Sequence, residues 1–438
     1  MFNLNTHADI AKVTTDPCYA KSKNLKVKEW RRDSVKLQEL ENDLRKIASD
    51  DPNWREKVNN FKREISAEKN SITRYIIKYD KRSINVENQN TLGLFRSVIT
   101  SGNNILSFAP PKSLSFDKFD ETSAEENREY QEFIEGTMIN LYFDPYSNDW
   151  EIATRSNIGA RCKFFNSDKT FRKMFLEAFT KQNLEFNNFD KQYCYSFVLQ
   201  HPENRIVVPF ATPKIILTKI YDCQDNSIRE IPCDNCKLNI QHVNKLNVSG
   251  NEYNDLNLKK IHEMFSQSEV KDYTCQGAVI CDKKLGIRYK VRNPNYEYVR
   301  NLKGNNPKLQ YQYYCLRQSD KVKEYLKFYP EDGIKLGEYR KQLHIWTGTL
   351  HQNYFRCYIN KEKPLRDFPF EYRSHMYKLH EHYKNKLRET GGAVTRKVVI
   401  EYVNNLPPQH LMSSVNYPLR HVEKAATVEE LQDALATV

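Results

Sequence analysis

Glycine is scarce in this chain, at 13 of 438 residues, and none of the glycine-rich loops that cradle phosphates can be found. There is no GxxxxGK[ST], no GxGxxG and no GxSxG. Those motifs wrap phosphates in backbone N–H groups, open a dinucleotide-binding helix, or expose a serine nucleophile. Their absence counts against P-loop, Rossmann and hydrolase readings. No stretch approaches the ~20 apolar residues of a membrane helix, so no membrane partner is expected. The opening MFNLNTHADIAKV lacks the charged start and apolar core of a secretory signal. The 10 cysteines are scattered and read as free thiols in a reducing, cytoplasmic compartment. No internal repeat or long low-complexity tract occurs.

What is present is globular and basic. Hydrophobic residues make up 39%, aromatics 12% and charged residues 28%, enough for a real core rather than a disordered chain. A net charge of +12 suits a phosphate-rich partner, so RNA or another nucleic acid is the expected ligand class. Abundant Asn, Lys and Tyr are compatible with a large DNA virus as source.

The length allows ~2–3 domains. Residues 21–80 read as helical, with Leu37, Leu40, Leu44, Ile47 and then Val58, Phe61, Ile65 at helical spacing, broken at Asp51-Pro52. From residue 91 to 300 the pattern becomes β-rich. Strands are expected at Thr137–Phe143, Trp150–Thr154, Cys194–Gln200, Arg205–Phe210, Lys214–Tyr221, Gly277–Cys281 and Ile287–Arg292. One helix near 168–182 interrupts them, with Phe171, Met174, Phe175 and Phe179 on its apolar face and Ser167 as its cap. Residues 121–132 read as an acidic loop. Residues 305–410 are helical again, with Tyr372, Met376, Leu379 and Tyr383 on one face and Val394, Val398 and Tyr402 continuing the pattern. A short helix is expected at 428–436. Many short strands with few helices between them argue for antiparallel sheets in an α+β fold.

Four segments stand in order: LFRSVITSGNNILSFAPPKS (94–113), EFIEGTMINLYFDPYSNDWEIATRSNIG (132–159), YSFVLQHPENRIVVPFATPKIIL (195–217) and QGAVICDKKLGIRYKVR (276–292). Over about 200 residues they resemble the adenylyltransferase domain of the phage tRNA-repair RNA ligases, in the covalent nucleotidyltransferase superfamily. That resemblance implies a two-sheet antiparallel domain flanked by helical regions. It also implies a Lys-x-Asp/Glu-Gly lysine that attacks the α-phosphate of ATP to give a lysyl-AMP.

In this chain Gly136 fits the motif glycine, Glu135 the acidic residue before it and Thr137 the hydroxylated residue after it, but the nucleophile position falls on Phe133. Phenylalanine has no nucleophilic nitrogen. The strand glutamate is replaced by Val198, and the Glu-Gly that often binds metal reads Gln276-Gly277. The cations persist. Arg96, Lys112 and Arg155 fit basic positions of the family, and Lys290 and Arg292 fit its terminal Lys-x-Lys pair. The resemblance therefore implies a phosphate-binding surface of Arg96, Lys112, Phe133, Glu135, Gly136, Arg155, Lys290 and Arg292, with no catalytic residue and no metal ligand. ATP and Mg²⁺ are implied only if ligase activity is retained through a displaced lysine, for which Lys112 and Lys118 are the candidates. A structural or assembly protein reusing the fold is a further alternative.

Other signals carry less. Cys223, Cys233 and Cys236, with His242 six residues on, have an irregular second half for a zinc site and read as ordinary thiols. His375, His380 and His382 in HMYKLHEHY read as surface or semi-buried histidines. LQYQYYCLRQ could stack bases, but core packing is the expected role. The expected domains are an N-terminal helical region (1–85), a ligase-like domain (86–304), a C-terminal helical domain (305–412) and a tail (413–438).

Overall fold

A computed structural model describes residues 2–4, 9–31, 73–164, 167–224, 227–233, 238–244, 246, 257–266 and 272–420. The helical stripes expected between residues 37 and 65, Cys236 and the helix expected at 428–436 lie outside the described residues. The chain divides into two compact units, Met1–Tyr298 and Val299–Val438.

Among the described residues the first unit is built from three antiparallel sheets. Its strands are β1 (Phe2–Asn3), β2 (Leu25–Arg31), β3 (Thr73–Tyr79), β4 (Val98–Ser101), β5 (Asn104–Phe108), β6 (Arg128–Glu132) and β7 (Thr137–Asp144). They continue as β8 (Asp149–Thr154), β9 (Tyr193–Gln200), β10 (Lys214–Asp222), β11 (Ser227–Ile231), β12 (Gly277–Asp282) and β13 (Arg288–Arg292). The sheet orders are β1-β11-β10-β9-β7-β8, β13-β12-β6 and β2-β3-β4-β5.

The period-2 alternation of a strand decides what each sheet face meets. In β7 and β9, Ile139, Leu141, Tyr195, Phe197 and Leu199 face the helix Phe171–Lys181 and bury its Phe171, Met174, Phe175 and Phe179. Phe179 stacks on Phe186 at 4.5 Å, and Phe189 meets Tyr195 edge-on at 5.0 Å. Each such burial contributes ~1.5–3 kcal/mol. The opposite face of the same sheet meets the four-stranded sheet through Tyr142, Cys194 and Tyr221. In the three-stranded sheet, Ala278, Ile280, Tyr289 and Val291 pack on the helices Phe116–Thr122 and Leu258–Ser266. The residues between them, Val279, Cys281, Arg288 and Lys290, therefore face the other way. Arg74 and Asp144 form an ion pair at 2.5 Å with both side chains nearly inaccessible.

The structure corrects several local expectations. The described ends of the 21–80 segment are strands, paired from Leu25↔Tyr79 to Arg31↔Thr73. Ile76 and Ile77, adjacent in β3 and so on opposite faces of the sheet, are both buried. Arg205–Phe210 is not a strand. Val207 and Val208 donate their N–H groups to the Glu135 carboxylate instead of to a neighbouring strand. The cap of the helix near 171 is Thr170, whose side chain accepts from the N–H of Lys173, not Ser167. Arg128–Glu132, expected in an acidic loop, is an edge strand paired with β12.

The second unit is helical among its described residues: Leu309–Gln318, Val322–Phe328, Gly333–Tyr354, Phe370–His382, Arg396–Asn404 and Pro408–Val415. Its core holds Tyr313, Tyr314, Leu343, Trp346, Leu350, Met376, Leu379, Val399, Val403 and Leu411. LQYQYYCLRQ thus packs inward. The buried face of the helix after Thr395 runs through Val399 and Val403, one residue on from the Val398 and Tyr402 phase. His375 is buried, with its ring nitrogens 2.8 Å from Tyr402 Oη and 2.9 Å from Ser414 Oγ. Burial, followed by the charges of Lys378 and His410, pulls it down to about 4.

Candidate functional site

The six-stranded and three-stranded sheets enclose a cavity of about 140 Å³. Met138, Val198, Thr218 and Lys219 line it from the larger sheet, and Gln131, Val279, Cys281, Arg288 and Lys290 from the smaller. The turn through Phe133 and Gly136 closes one side, and Arg96 with Pro110 another.

Two glycines permit this approach. Gly136 has φ +150°, and a Cβ there would lie 2.5 Å from the Leu199 carbonyl oxygen. Gly277 has φ +136°, and its Cβ would lie 2.1 Å from the Val291 oxygen. Both conformations favour glycine, and both contacts are with backbone that cannot yield. Phe133 N–H donates to the Gly277 carbonyl at 3.0 Å, tying the two turns together.

Of the residues expected from sequence, Arg96, Phe133, Gly136 and Lys290 line the cavity. Lys290 Nζ lies 3.9 Å from the Phe133 ring centre, a close cation–π contact. Arg292 stands 5.5 Å from the same ring but pairs with Glu297 at 2.7 Å. Arg155 sits behind Arg96: its Nε donates to the Arg96 carbonyl at 3.4 Å, and its guanidinium is 4.8 Å from the Tyr79 ring centre. Lys112 Nζ donates to the Ser113 carbonyl at 3.1 Å, outside the cavity lining. Glu135 is buried and turned away. Val207 donates to its Oε1 at 3.0 Å, and Val208 donates to Oε1 and Oε2 at 3.1 Å each. It folds the following loop rather than facing the cavity.

Sequence reasoning missed Arg288 and Lys219. Arg288 shares the Lys290 face of β13. It donates to Pro111 O from Nε at 2.9 Å and from Nη2 at 2.6 Å, and to Pro110 O at 3.1 Å. Arg96 Nη1 reaches the same Pro110 oxygen at 3.3 Å. Lys219 enters because the β9–β10 register shifts between Leu217 and Lys219. With that bulge, Ile215, Leu217 and Ile220 all face the helix side while Lys219 faces the cavity. The broken alternation in KIILTKIYD was the available signal.

The electrostatics are lopsided. Lys219 pairs with Glu230. Burial works against its proton, but the fields of Cys281 and Glu230 and the Glu230 hydrogen bond raise its proton affinity overall. Among the described residues, no carboxylate pairs with Arg96, Arg288 or Lys290. Burial, then the neighbouring Arg288, lowers Arg96 to about 9. Burial, then Arg288, Arg96 and Arg292, holds Lys290 well below the ordinary lysine range. Cations crowded together favour an anion in their midst, and the field of Glu230 on Arg288 offsets only part of that crowding. Among the described residues Glu132 is the only carboxylate in the lining. Among the described residues no group of three or more His, Cys, Asp or Glu side chains is placed to hold a metal ion. No described helix is long and apolar enough to cross a membrane.

These features define an α+β protein with a cation-lined cleft between two antiparallel sheets. Over 95 residues it is 35% identical to the RNA ligase of Rhodothermus phage RM378, covering 20% of this chain and 21% of that protein. Over 296 residues it is 24% identical to the immediate-early protein ICP-46 homolog of Invertebrate iridescent virus 6, covering 62% of each. The chain thus spans about a fifth of the first relative and under two thirds of the second. A solved Naegleria gruberi RNA ligase with PPi aligns at TM-score 0.30 and 14% identity over 47% of this chain and 66% of that one. An archaeal ATP-dependent RNA ligase aligns at TM-score 0.32 and 11% identity over 63% and 70%. No family model matches the chain. The chain is related in sequence to a phage RNA ligase, and both named sequence relatives are viral, in keeping with the source expected from composition.

Proposed function

We propose that the cleft binds the phosphates of a nucleotide or of a 5′-phosphorylated RNA end, and that it does so without a covalent intermediate at the motif position. The observation that carries this reading is the set Arg96, Arg288 and Lys290. They face one cavity beside Phe133 without a carboxylate partner among the described residues. Guanidinium groups anchored on the Pro110 and Pro111 carbonyls are pre-oriented for phosphate oxygens. Phe133 offers a flat apolar face where the resemblance places a lysine.

The test is equilibrium binding of α-labelled ATP and of a 5′-phosphorylated oligoribonucleotide, followed by denaturing electrophoresis. We expect saturable binding, lost by tenfold or more in Arg288→Ala, and no label on denatured protein. Absence of binding to folded wild-type protein would sink the reading and favour a scaffold role.

One observation favours a second reading, an ATP-dependent ligase with a displaced lysine. Lys290 has its amine beside Phe133 and a weakened hold on its proton, which suits a nucleophile. Lys112 and Lys118 do not line the cavity, and Lys118 is 3.7 Å from Glu121. An acid-labile label lost in Lys290→Met would establish this alternative.

A further inference from the structure

The second unit carries its own charge asymmetry. Between residues 299 and 420, Lys and Arg outnumber Asp and Glu by 22 to 11. Part of that excess gathers at a groove of about 130 Å³ between the helices Leu309–Gln318, Gly333–Tyr354 and Arg396–Asn404. Arg317, His344 and Arg396 supply its polar rim, and Leu343, Ile400 and Val403 its apolar floor and walls. Among the described residues no Asp or Glu lines it. Arg317 is oriented by donating to the Asn404 side chain, while Arg396 and His344 are exposed, with no ion pair among the described residues.

The helix Gly333–Tyr354 extends this basic face. Gly337, Lys341, His344 and Gly348 recur at spacings of four, three and four residues, which places them on one side of the helix. A Cβ added at Gly337 or at Gly348 would meet nothing within 4 Å, so this side is open to a ligand. Helix-interior glycine costs ~0.5–1 kcal/mol against alanine, and no packing inside the unit offsets that cost here.

We infer that this groove binds the phosphodiester backbone of a single RNA strand, separately from the cleft of the first unit. The chemistry is specific to that class. Arginine forks match phosphate oxygens bidentately, and a narrow apolar floor accepts a sugar or base face between successive phosphates. A compact anionic ligand would leave the floor unused, and a flat anionic membrane would not enter a groove. The inference deepens the nucleic-acid reading proposed for the cleft, but it stands on different residues.

The test uses the full chain and a 5′-phosphorylated single-stranded oligoribonucleotide, with binding followed by fluorescence anisotropy across a salt series. Arg317→Glu/Arg396→Glu should weaken RNA binding by tenfold or more. Arg317→Gln/Arg396→Gln, a milder pair, should flatten the slope of log affinity against log salt by roughly 1.4, as expected when two single-strand phosphate contacts go. ATP binding, read on the same preparations, should not change, and it also reports that the variants are folded. Unchanged RNA affinity and slope in both variants would overturn the inference. So would an unchanged RNA affinity accompanied by lost binding to an acidic peptide or to anionic vesicles. If wild type binds RNA but not ATP while the groove variants lose RNA, the inference holds and the cleft reading alone fails. If ATP binds but the groove variants retain RNA, the cleft reading holds and this inference alone fails.

Discussion

In the first unit, Arg96, Arg288 and Lys290 are packed between two sheets and held in place by proline carbonyls and an aromatic ring. In the second, Arg396, Lys341 and His344 stand exposed on helix surfaces. Arg96 and Lys290 lose proton affinity because desolvation and then neighbouring cations oppose their charge, and desolvation alone lowers Arg288. The exposed set stands in water, where salt screens its interactions. The contrast teaches that sequence charge alone does not rank these sites. The cleft has fixed geometry and strained charge, suited to one defined phosphate group. The groove has open geometry and relaxed charge, suited to a repeating backbone.

The sharpest way to separate the two is to break the backbone of one. Gly277→Ala forces a Cβ to 2.1 Å from the Val291 oxygen in a positive-φ conformation. A cost of about 4 kcal/mol or more is expected, at the top of the range for single substitutions. The urea midpoint of the first unit should drop steeply and nucleotide binding should vanish, while groove-dependent RNA binding persists. Simultaneous loss of both would show that the two regions are not independent.

A smaller effect is expected at Glu135. Removing its carboxylate in Glu135→Ala leaves the Val207 and Val208 N–H groups without their acceptor. That should cost about 2–3 kcal/mol. Protection of those two amides in hydrogen exchange should fall, and Glu135→Gln should recover part of it. Unaltered protection in the alanine variant would refute the loop-folding role.

The smallest effect is a gain. Lys290 has a lower proton affinity folded than unfolded. Above the unfolded value neither state holds the proton. As pH falls toward the folded value, the unfolded chain is protonated first and stability is lost. Lys290→Met removes that loss. The variant should therefore match wild type near about pH 10.5 and exceed it increasingly toward about pH 7, measured by denaturant midpoints. In wild type, ATP binding should take up a proton, so affinity should fall as pH rises. Calorimetry in buffers of different ionisation enthalpy reads that uptake directly.

Much of the first unit was legible because buried strands advertise themselves. MINLYF, YSFVLQ and GAVI alternate or run apolar, and their edges fall within a residue or two of β7, β9 and β12. Strands β2 and β3 were not legible. LKVKEWR and TRYIIKY mix long charged side chains with apolar ones, and lysine stems cover an exposed sheet face as readily as a helix face. Arg96, Phe133, Gly136 and Lys290 could be placed by resemblance, and they do meet at the cavity. Glu135 was read as facing the phosphates because the motif puts an acid there, whereas its geometry is that of a loop-folding acceptor. Lys219 and Arg288 were hidden for two reasons. A bulge resets the face of one, and the other precedes a Lys-x-Arg pair that took the attention.

The single extra residue in β10 leaves one backbone step unpaired. Because Leu217 pairs with Phe197 and Lys219 with the adjacent Ser196, deletion of Thr218 would restore regular alternation and leave Lys219, Ile220 and Tyr221 on their present partners and faces. The bulge is therefore slack in β10: the strand can lose this one residue and still present its lysine to the cleft, because the face of Lys219 is set by its partner in β9.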